Sequence, residues 1–560
     1  VLPAVPTHSL RDAHRALRGL TLRQEVYGTD DLHTPYAVTE QSYEIHLLQP
    51  RRPTRATAEL PAKAPTFPPV FEARPREVRS ATYDRVPSDP RLTQWAALAY
   101  DEAYGFVTQE LSVGYARRSA ARAAAEAADD LTLTEQAELL ALATHTTLAH
   151  LSTLGEAHRL GVATESKTYQ LTGLSGAALY SVDQLRTHHA AATYLDYVEA
   201  PSTGYQLRLV EHVRARFYDS ADLPNALPFG DIDARAIPYE TYQLDLSVDL
   251  ISTHLPSVTS GMLSEAGYVS FDGGVHQWIP SGRTLPDAAR FYLPLSATDP
   301  YGNLTTVGYD TTGLFVASVE DPLGNTALAD TDYRTLAPWR LTDPNGNRVE
   351  VASDALGRVV AVAVRGKAAE MLGDTLADPT ETYDYVTTAW SSLGTPNYVH
   401  HRARKQHGGT ADWQEARSYS DGSGAIAMVK AQAEPGDFPR LDGSGDVEFA
   451  HSSDRWIASG KTVVNNKGNV VKQYEPFFSD GPAYQDEPAI VKWGVTAIVH
   501  YDPIGRAVRT DFPDGSYTKT DHAVWRQEAW DQHDTLSDPD NEWRLARATL
   551  SGTHPDRLAY

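Results

Sequence analysis

The sequence predicts an all-β fold, a continuous antiparallel sheet of short hairpins, and three observations predict it. The string Asp299-Pro300-Tyr301-Gly302-Asn303 returns as Asp321-Pro322-Leu323-Gly324-Asn325 and again as Asp343-Pro344-Asn345-Gly346-Asn347, with a step of 22 residues each time. A second half-repeat runs alongside it: Tyr309-Asp310-Thr311-Thr312-Gly313 corresponds to Ser353-Asp354-Ala355-Leu356-Gly357 at twice that step, and Asp332 holds the place between. The runs between these turns, such as 304–309 and 314–320, are rich in Val, Thr, Phe and Tyr and read as strands. Self-similarity at a fixed period outranks other sequence signals, because it defines the structural unit.

The physics of one unit follows from its residues. In Asp-Pro-x-Gly-Asn the aspartate can accept bonds from its own turn, the proline pre-sets φ, and the glycine supplies the positive φ that other residues avoid. Two strands and two turns fit within one step. A single hairpin cannot bury its apolar face, so neighbours must add edge to edge.

Taken in order, residues 9–17 read as a short helix with Ser9 as a candidate N-cap. Residues 20–27 read as a strand, and Tyr43, Ile45 and Leu47 alternate with polar residues as a second. The segment 51–90, rich in Pro and Arg, reads as an irregular connection. Asp101-Glu102-Ala103-Tyr104-Gly105 is a degenerate turn of the repeat kind. Residues 118–129 are alanine-rich and locally helical, whereas 131–151 is ambiguous, with helix-forming composition but strand-like alternation at its start. Alternation returns over 205–218 and 239–250. Period decays after Val362, with polar insertions at 367–378 and 435–446, and the repeat restarts at Tyr501-Asp502-Pro503-Ile504-Gly505. The expected organisation is 1–290 as a pre-repeat part, 291–365 as tandem repeats, 366–500 as degenerate repeats with insertions, and 501–560 as a further repeat.

With 560 residues the chain carries a formal net charge of −24. That excess of acid argues against a nucleic-acid partner, since phosphate binding needs a basic surface. No apolar run approaches the length of a membrane-spanning helix. There is no cysteine, so disulfides and thiolate chemistry are excluded. The chain opens without a charged segment followed by an apolar stretch, and both ends read as cuts in a longer polypeptide.

Chemical motifs are sparse. Gly460-Lys461-Thr462 resembles the end of a phosphate loop, but Arg455 stands where the first glycine is needed, so a hairpin turn is the expectation. Asp538, Asp540, Asn541 and Glu542 lack the glycine and terminal glutamate of a calcium loop and read as an acidic turn. His145, His150, His188-His189 and His400-His401 show no ligand spacing for a metal. The run His400–His407 is the one basic stretch, read as a solvated turn. The turn carboxylates repeat in like environments, whereas acid–base pairs need unlike ones. Trp278, Trp413, Trp456, Trp525 and Trp530 could line a sugar site or pack across strands. The expectation is no catalytic, cofactor or metal residue. The signature is instead structural: Asp299, Pro300, Gly302, Asp310, Gly313, Asp321, Pro322, Gly324, Asp343, Pro344, Gly346, Asp354, Gly357, Tyr501, Asp502 and Gly505.

The Tyr-Asp dipeptides at Tyr309-Asp310, Tyr383-Asp384 and Tyr501-Asp502 make this pattern resemble the Rhs or YD repeat. Strings outside the repeat are more specific. They include Ala16-Leu17-Arg18-Gly19, Leu22-Arg23-Gln24-Glu25-Val26-Tyr27-Gly28, Pro35-Tyr36-Ala37-Val38-Thr39-Glu40-Gln41, Lys167–Gly173, Trp278–Arg283, Asn465–Phe478 and Arg509–Gly515. Their order resembles the B component of bacterial insecticidal toxin complexes (Tc toxins). The resemblance implies that B and C components spiral their strands into one hollow shell. The shell holds the toxic region of an Rhs-bearing C component, unfolded, until it passes into an A-component channel. The family's B component also carries an N-terminal region and a β-propeller that docks on the channel, and the C component an autoprotease with paired aspartates; none of these is recognised here. The expectation is therefore shell wall alone: non-enzymatic, without cofactor, secreted from a bacterium, touching the channel only through a region absent from this sequence. Strand number supports a container, since sheets of many more than about eight strands leave a lumen if they close. Two rival readings are a container of another Rhs delivery protein and a surface adhesin or glycan-binding module; a third, a hydrolase on a β scaffold, needs a charge constellation that the sequence lacks.

Overall fold

The computed structural model describes residues 7–50, 52–53, 66–128, 132–153, 157–175, 179–408, 412–486, 490–491 and 496–555. The chain forms two compact units, one of residues 1–304 with 523–525 and the other of 305–522 with 526–560. Antiparallel strands dominate both, and the large sheets do not close into barrels.

In the first unit the strands Arg23–Val26, Ala37–Gln49, Val70–Thr82, Arg91–Tyr100, Val107–Gly114, Leu140–Thr153, Ala157–Thr172, Gln206–Phe217, Pro238–Ser247 and His276–Pro280 lie side by side in chain order. Each is antiparallel to the next. Thr193–Leu195 adds a short parallel strand on Gln206–Arg208. Helix α1, Thr7–Arg15, begins before Ser9, which lies inside it and is buried rather than capping it. Part of the expected irregular connection is a 13-residue strand, Val70–Thr82. Its proline is tolerated because the register passes from Ser42 opposite Glu77 to Tyr43 opposite Pro75, a bulge at which one residue has no opposite number.

Helix α2, Ser119–Ala127, occupies the alanine-rich segment. The ambiguous stretch that follows becomes the strand Leu140–Thr153. Ala141 and Ala143 then face the core while flanking strands satisfy both edges, so pairing overrides helix propensity.

Cross-strand register places Ala96, Leu111, Ala143 and Tyr169 in one row on one face, and Leu171 beside Leu207 on the same face. Helix α3, Val182–Ala190, covers this face. The alanines leave room for the helix, and its Val182 and Leu185 are fully withdrawn from water, each contributing about 1.5–3 kcal/mol. A capping box starts α3: Ser181 accepts from the Gln184 amide, and the Gln184 side chain accepts from the Ser181 amide. A second cluster on the same sheet joins Tyr242, Leu244 and Trp278.

In the second unit, the strands Leu304–Tyr309, Val316–Glu320, Thr326–Asp332, Ala337–Thr342, Arg348–Ser353, Val359–Arg365, Glu381–Val386, Asn397–Arg404, Trp413–Ser420, Ile426–Gln432, Trp456–Ser459 and Phe477–Ser479 follow one another in a single sheet. The polar insertion at 435–446 contains one strand of a separate hairpin, Gly436–Leu441 with Val447–Ser452. A six-stranded sheet runs from Thr462–Val464 to Gln527–Trp530. Among the described residues, a core forms on the later strands of the larger sheet, where Tyr419, Met428, Ala458, Tyr474, Phe477 and Ile490 pack together.

Candidate functional site: an open repeat sheet

The turns set the geometry of the repeat sheet. Asp299 N–H donates to the Asn303 carbonyl at 3.1 Å and Gly302 N–H to the Asp299 carbonyl at 3.0 Å. That is a tight turn followed by a glycine in the left-handed region, with φ +86° at Gly302. The Asp299 carboxylate closes it, accepting from the Tyr301 and Asn303 amides at 2.9 Å and from Asn303 Nδ2 at 2.7 Å. Pro300 sits where its missing N–H costs nothing. Asp321 repeats the set on Leu323 and Asn325, with Pro322 and Gly324 in the same places. Asp343, with Pro344 and Gly346, holds Asn347 through its amide at 2.8 Å and its Nδ2 at 2.9 Å.

The half-repeat uses the same turn with other partners. Asp354, with Gly357, accepts from the Leu356 and Arg358 amides and from Arg358 Nε at 2.8 Å. Asp502, with Gly505, does the same with Ile504 and Arg506. The Tyr501 hydroxyl, one residue before, donates to the Val470 carbonyl at 2.7 Å. Asp310, with Gly313, accepts from the Leu314 amide at 2.9 Å, the Thr312 hydroxyl at 2.8 Å and the Tyr333 hydroxyl. The Tyr333 bond is the largest cause that holds the Asp310 carboxyl down at about 2. Each carboxylate accepts backbone amides of its own turn, and that of Asp310 also takes the Tyr333 hydroxyl from the next turn.

Three further turns of this kind carry no proline. Asp421 accepts from the Ser423 and Ala425 amides, Asp442 from Ser444 and Asp446, and Asn465 from Lys467 and Asn469, each with a left-handed glycine before the last residue. Their common signal is Asp or Asn followed by glycine three residues on, the spacing also seen at Asp310 and Asp354.

Where these turns link residues 304–349, the sheet has no buried residue. Register sorts its side chains onto two unlike faces. On one, Val307, Val319 and Ala327 stand in a row, as do Ala329, Leu341, Val349 and Val364. These side chains are in part open to water, Val319 by 39% and Leu341 by 50%. The other face carries Asp330, Arg340, Glu350 and Arg365, tied by Arg340 Nε to Asp330 at 2.7 Å and by Arg365 to both Glu350 oxygens at 3.1 Å. An apolar face this long, left uncovered, marks a contact surface.

The remaining candidate motifs have structural partners. His400–Arg404 is not a solvated turn but the end of a strand, in which His400 meets Glu415 at 2.8 Å, His401 meets Glu381 at 3.2 Å, and Arg404 lies over the Trp413 ring. Gly460-Lys461-Thr462 links two strands, and the Lys461 amine donates to the Tyr484 hydroxyl at 2.6 Å. Asp538 and Asp540 are held by Tyr517, Lys519 and Arg509. Asn541 caps the helix Glu542–Ala548 through the Arg544 amide. Trp278 and Trp456 are buried in packing, Trp530 takes the Lys519 amine over its ring and Trp525 lies under Arg117. His150 accepts from the Gly161 amide, His188 stacks on Tyr205, and His145 meets His189. Among the described residues no group of three or more His, Cys, Asp or Glu could hold a metal ion.

One buried pair gave no sequence signal. Lys430 donates to Ser479 Oγ at 2.9 Å, to the Gly481 carbonyl at 3.2 Å and to Gln485 Oε1 at 3.1 Å. Burial pushes its amine down to about 8. A serine beside such an amine can be a nucleophile–base pair, but both residues are 1% exposed. The arrangement satisfies a buried ammonium.

Comparison with known proteins agrees with this architecture. Residues 12–162 match the family model for the insecticide toxin TcdB middle/C-terminal region. Beyond that segment, almost the whole chain has the fold of solved Tc toxin structures. The crystal structure of TcdB2-TccC3 matches with a TM-score of 0.78 and 22% identity over 96% of this chain and 27% of that one. The same complex without its hypervariable C-terminal region gives a TM-score of 0.77 at 20% identity, over 96% of this chain and 29% of that one. A Photorhabdus luminescens Tc holotoxin pore with a mutated TccC3 gives 0.77 at 20%, over 100% and 29%. No curated protein matches the chain. The chain thus spans less than a third of the length of the Tc structures that it resembles. The strings at 16–28 and 35–41 lie inside the matched TcdB segment; the later ones lie outside it.

Proposed function

We propose that this chain is a wall segment of the shell in a Tc-type B component, and that its work is confinement rather than catalysis. In this reading its strands join those of an Rhs-bearing C component outside the bacterial cell. Together they enclose the toxic region of that C component until it leaves through an A-component channel. The observation that carries the reading is the sheet over residues 304–349, in which no residue is buried. A sheet with part-exposed apolar side chains on one face and ion pairs on the other suits a boundary between two environments. An unfolded polypeptide needs such enclosure, because its exposed apolar segments otherwise aggregate. The turn carboxylates support a non-enzymatic role, since each is engaged by backbone amides of its turn and by nearby side chains.

The test is protection of cargo. The parent B component carrying this segment would be co-expressed with its Rhs-bearing partner and digested with protease, and the cargo region followed by immunoblot. The expected outcome is that cargo survives in the complex and is cut quickly when the partner is expressed alone. Equal rates of cutting in the two samples overturn the proposal.

A further inference from the structure

Two histidines meet on the core face of the first unit. His145 stands on the Leu140–Thr153 strand and His189 on the last turn of α3. Their Nε2 atoms lie 2.8 Å apart, and His189 is 8% exposed. The Tyr169 ring packs 4.9 Å from that of His145, and Tyr194 closes the side at 6.1 Å. At 2.8 Å one ring nitrogen must donate and the other accept, so the contact exists only while at least one imidazole is neutral. A second proton replaces the bond by two like charges at contact distance. Among the described residues no third ligand joins the pair, so it is not a metal centre.

We propose that His145 and His189 form an acid latch for α3. The latch holds the helix on the sheet while the pair carries at most one extra proton and loosens it when both rings are charged.

The surroundings favour release. Lys167 lies directly across the strand pair from His145 and adds positive charge. Its carboxylate partner, Glu165 at 3.5 Å, is already shared with His212 and Arg214. Gln109, opposite His145 on the other side, is neutral. On α3, Arg186 is engaged with Glu44 and the Ala97 carbonyl, Asp183 with Arg76, and His188 with Tyr205. Among the described residues, no carboxylate lies within ion-pair distance of either ring.

Burial first, then His189 and Lys167, pulls His145 from the usual 6.5 down to about 4. Burial also pulls His189 down. The undocked state therefore binds more protons, so docking is complete above the ordinary histidine range and weakens as pH falls toward 4. For His145 that window corresponds to a change on the order of a hundredfold in the docked-to-undocked ratio. Release would expose Val182 and Leu185 together with the Tyr169–Leu207 face beneath them.

Hydrogen exchange of the full chain, corrected for the intrinsic pH dependence, tests the latch. Amides of Val182–Ala190 are expected to lose protection, on the order of a hundredfold, between pH 6.5 and 4. H145Q/H189Q, which keeps a neutral hydrogen-bonding pair, is expected to retain it. Flat protection in the native chain, or an equal loss in the variant, overturns the proposal. Should the variant not fold, exchange at the imidazole C2–H of the native chain decides: the second of the two rings to protonate must titrate clearly below 6.5, and ordinary midpoints for both rings refute the latch.

Discussion

Replacing Gly324 by alanine isolates the demand that the repeat turn places on its backbone. Gly324 sits at φ +83°, and an added Cβ would meet nothing within 4 Å. The whole cost is then conformational, about 1–2 kcal/mol for an ordinary residue in the left-handed region. Asparagine enters that region more readily, so Gly324→Asn should cost less. Gly173 is the contrasting case. Its φ is +87°, and a Cβ would sit 2.3 Å from the Gly204 carbonyl oxygen, between two paired strands. There the backbone itself must move, and the sum of strain and overpacking is roughly 2–5 kcal/mol. A chain of two units need not unfold in one step, so the assay is hydrogen exchange resolved by segment. Gly324→Ala should speed exchange in Val316–Glu320 and Thr326–Asp332 by roughly 5- to 30-fold and leave the first unit unchanged. Gly173→Ala should do more, at the Thr172–Gln206 end of its strand pair. If alanine and asparagine at 324 perturb equally, or if Gly324→Ala costs as much as Gly173→Ala, the reasoning from left-handed backbone is wrong.

Three further outcomes follow from the packing and the titrating groups. Leu185→Ala removes the anchor of α3 from a face lined by alanines and should lower the stability of the first unit by about 2–5 kcal/mol in thermal unfolding. Lys430 titrates near 8 in the folded chain against 10.5 when free; the unfolded state therefore holds its proton longer, and the stability of the native chain should rise relative to Lys430→Met by about 3 kcal/mol between pH 8 and 10.5. Asp299, Asp321 and Asp343 are held down chiefly by their asparagine partners, and Asp310 chiefly by Tyr333. Their contribution is complete above the free carboxyl range and is lost as pH falls below about 4, toward about 2 for Asp310. Exchange at the Val316–Glu320 amides should accelerate across that window and become less pH-sensitive in Asp310→Asn.

The repeat turns were legible because each is a local object. Aspartate, proline and glycine act within five residues, and nothing distant is needed to close the bond set of Asp321. Turns built on Asp421, Asp442 and Asn465 were less visible, since they keep the glycine and the acceptor but stand where the repeat period has decayed. The Val70–Thr82 strand was obscured for the opposite reason: its proline suggests a break, and the bulge beside it in the same strand makes it tolerable. His400–Arg404 looked like a charged surface run because the carboxylates that neutralise it, Glu381 and Glu415, come from neighbouring strands.

Taken alone, the amino-acid sequence determined the β-class, the hairpin period and the resemblance to Tc toxin components, because strand propensity and turn chemistry are short-range and repeat along the chain. Tertiary structure decided which faces of those strands are covered. It placed α3 over the alanine-lined face, brought His145 to His189 and Lys430 to Ser479 across tens of residues, and left no residue of 304–349 buried. Which face is covered depends on partners far apart in sequence, and no local pattern records them.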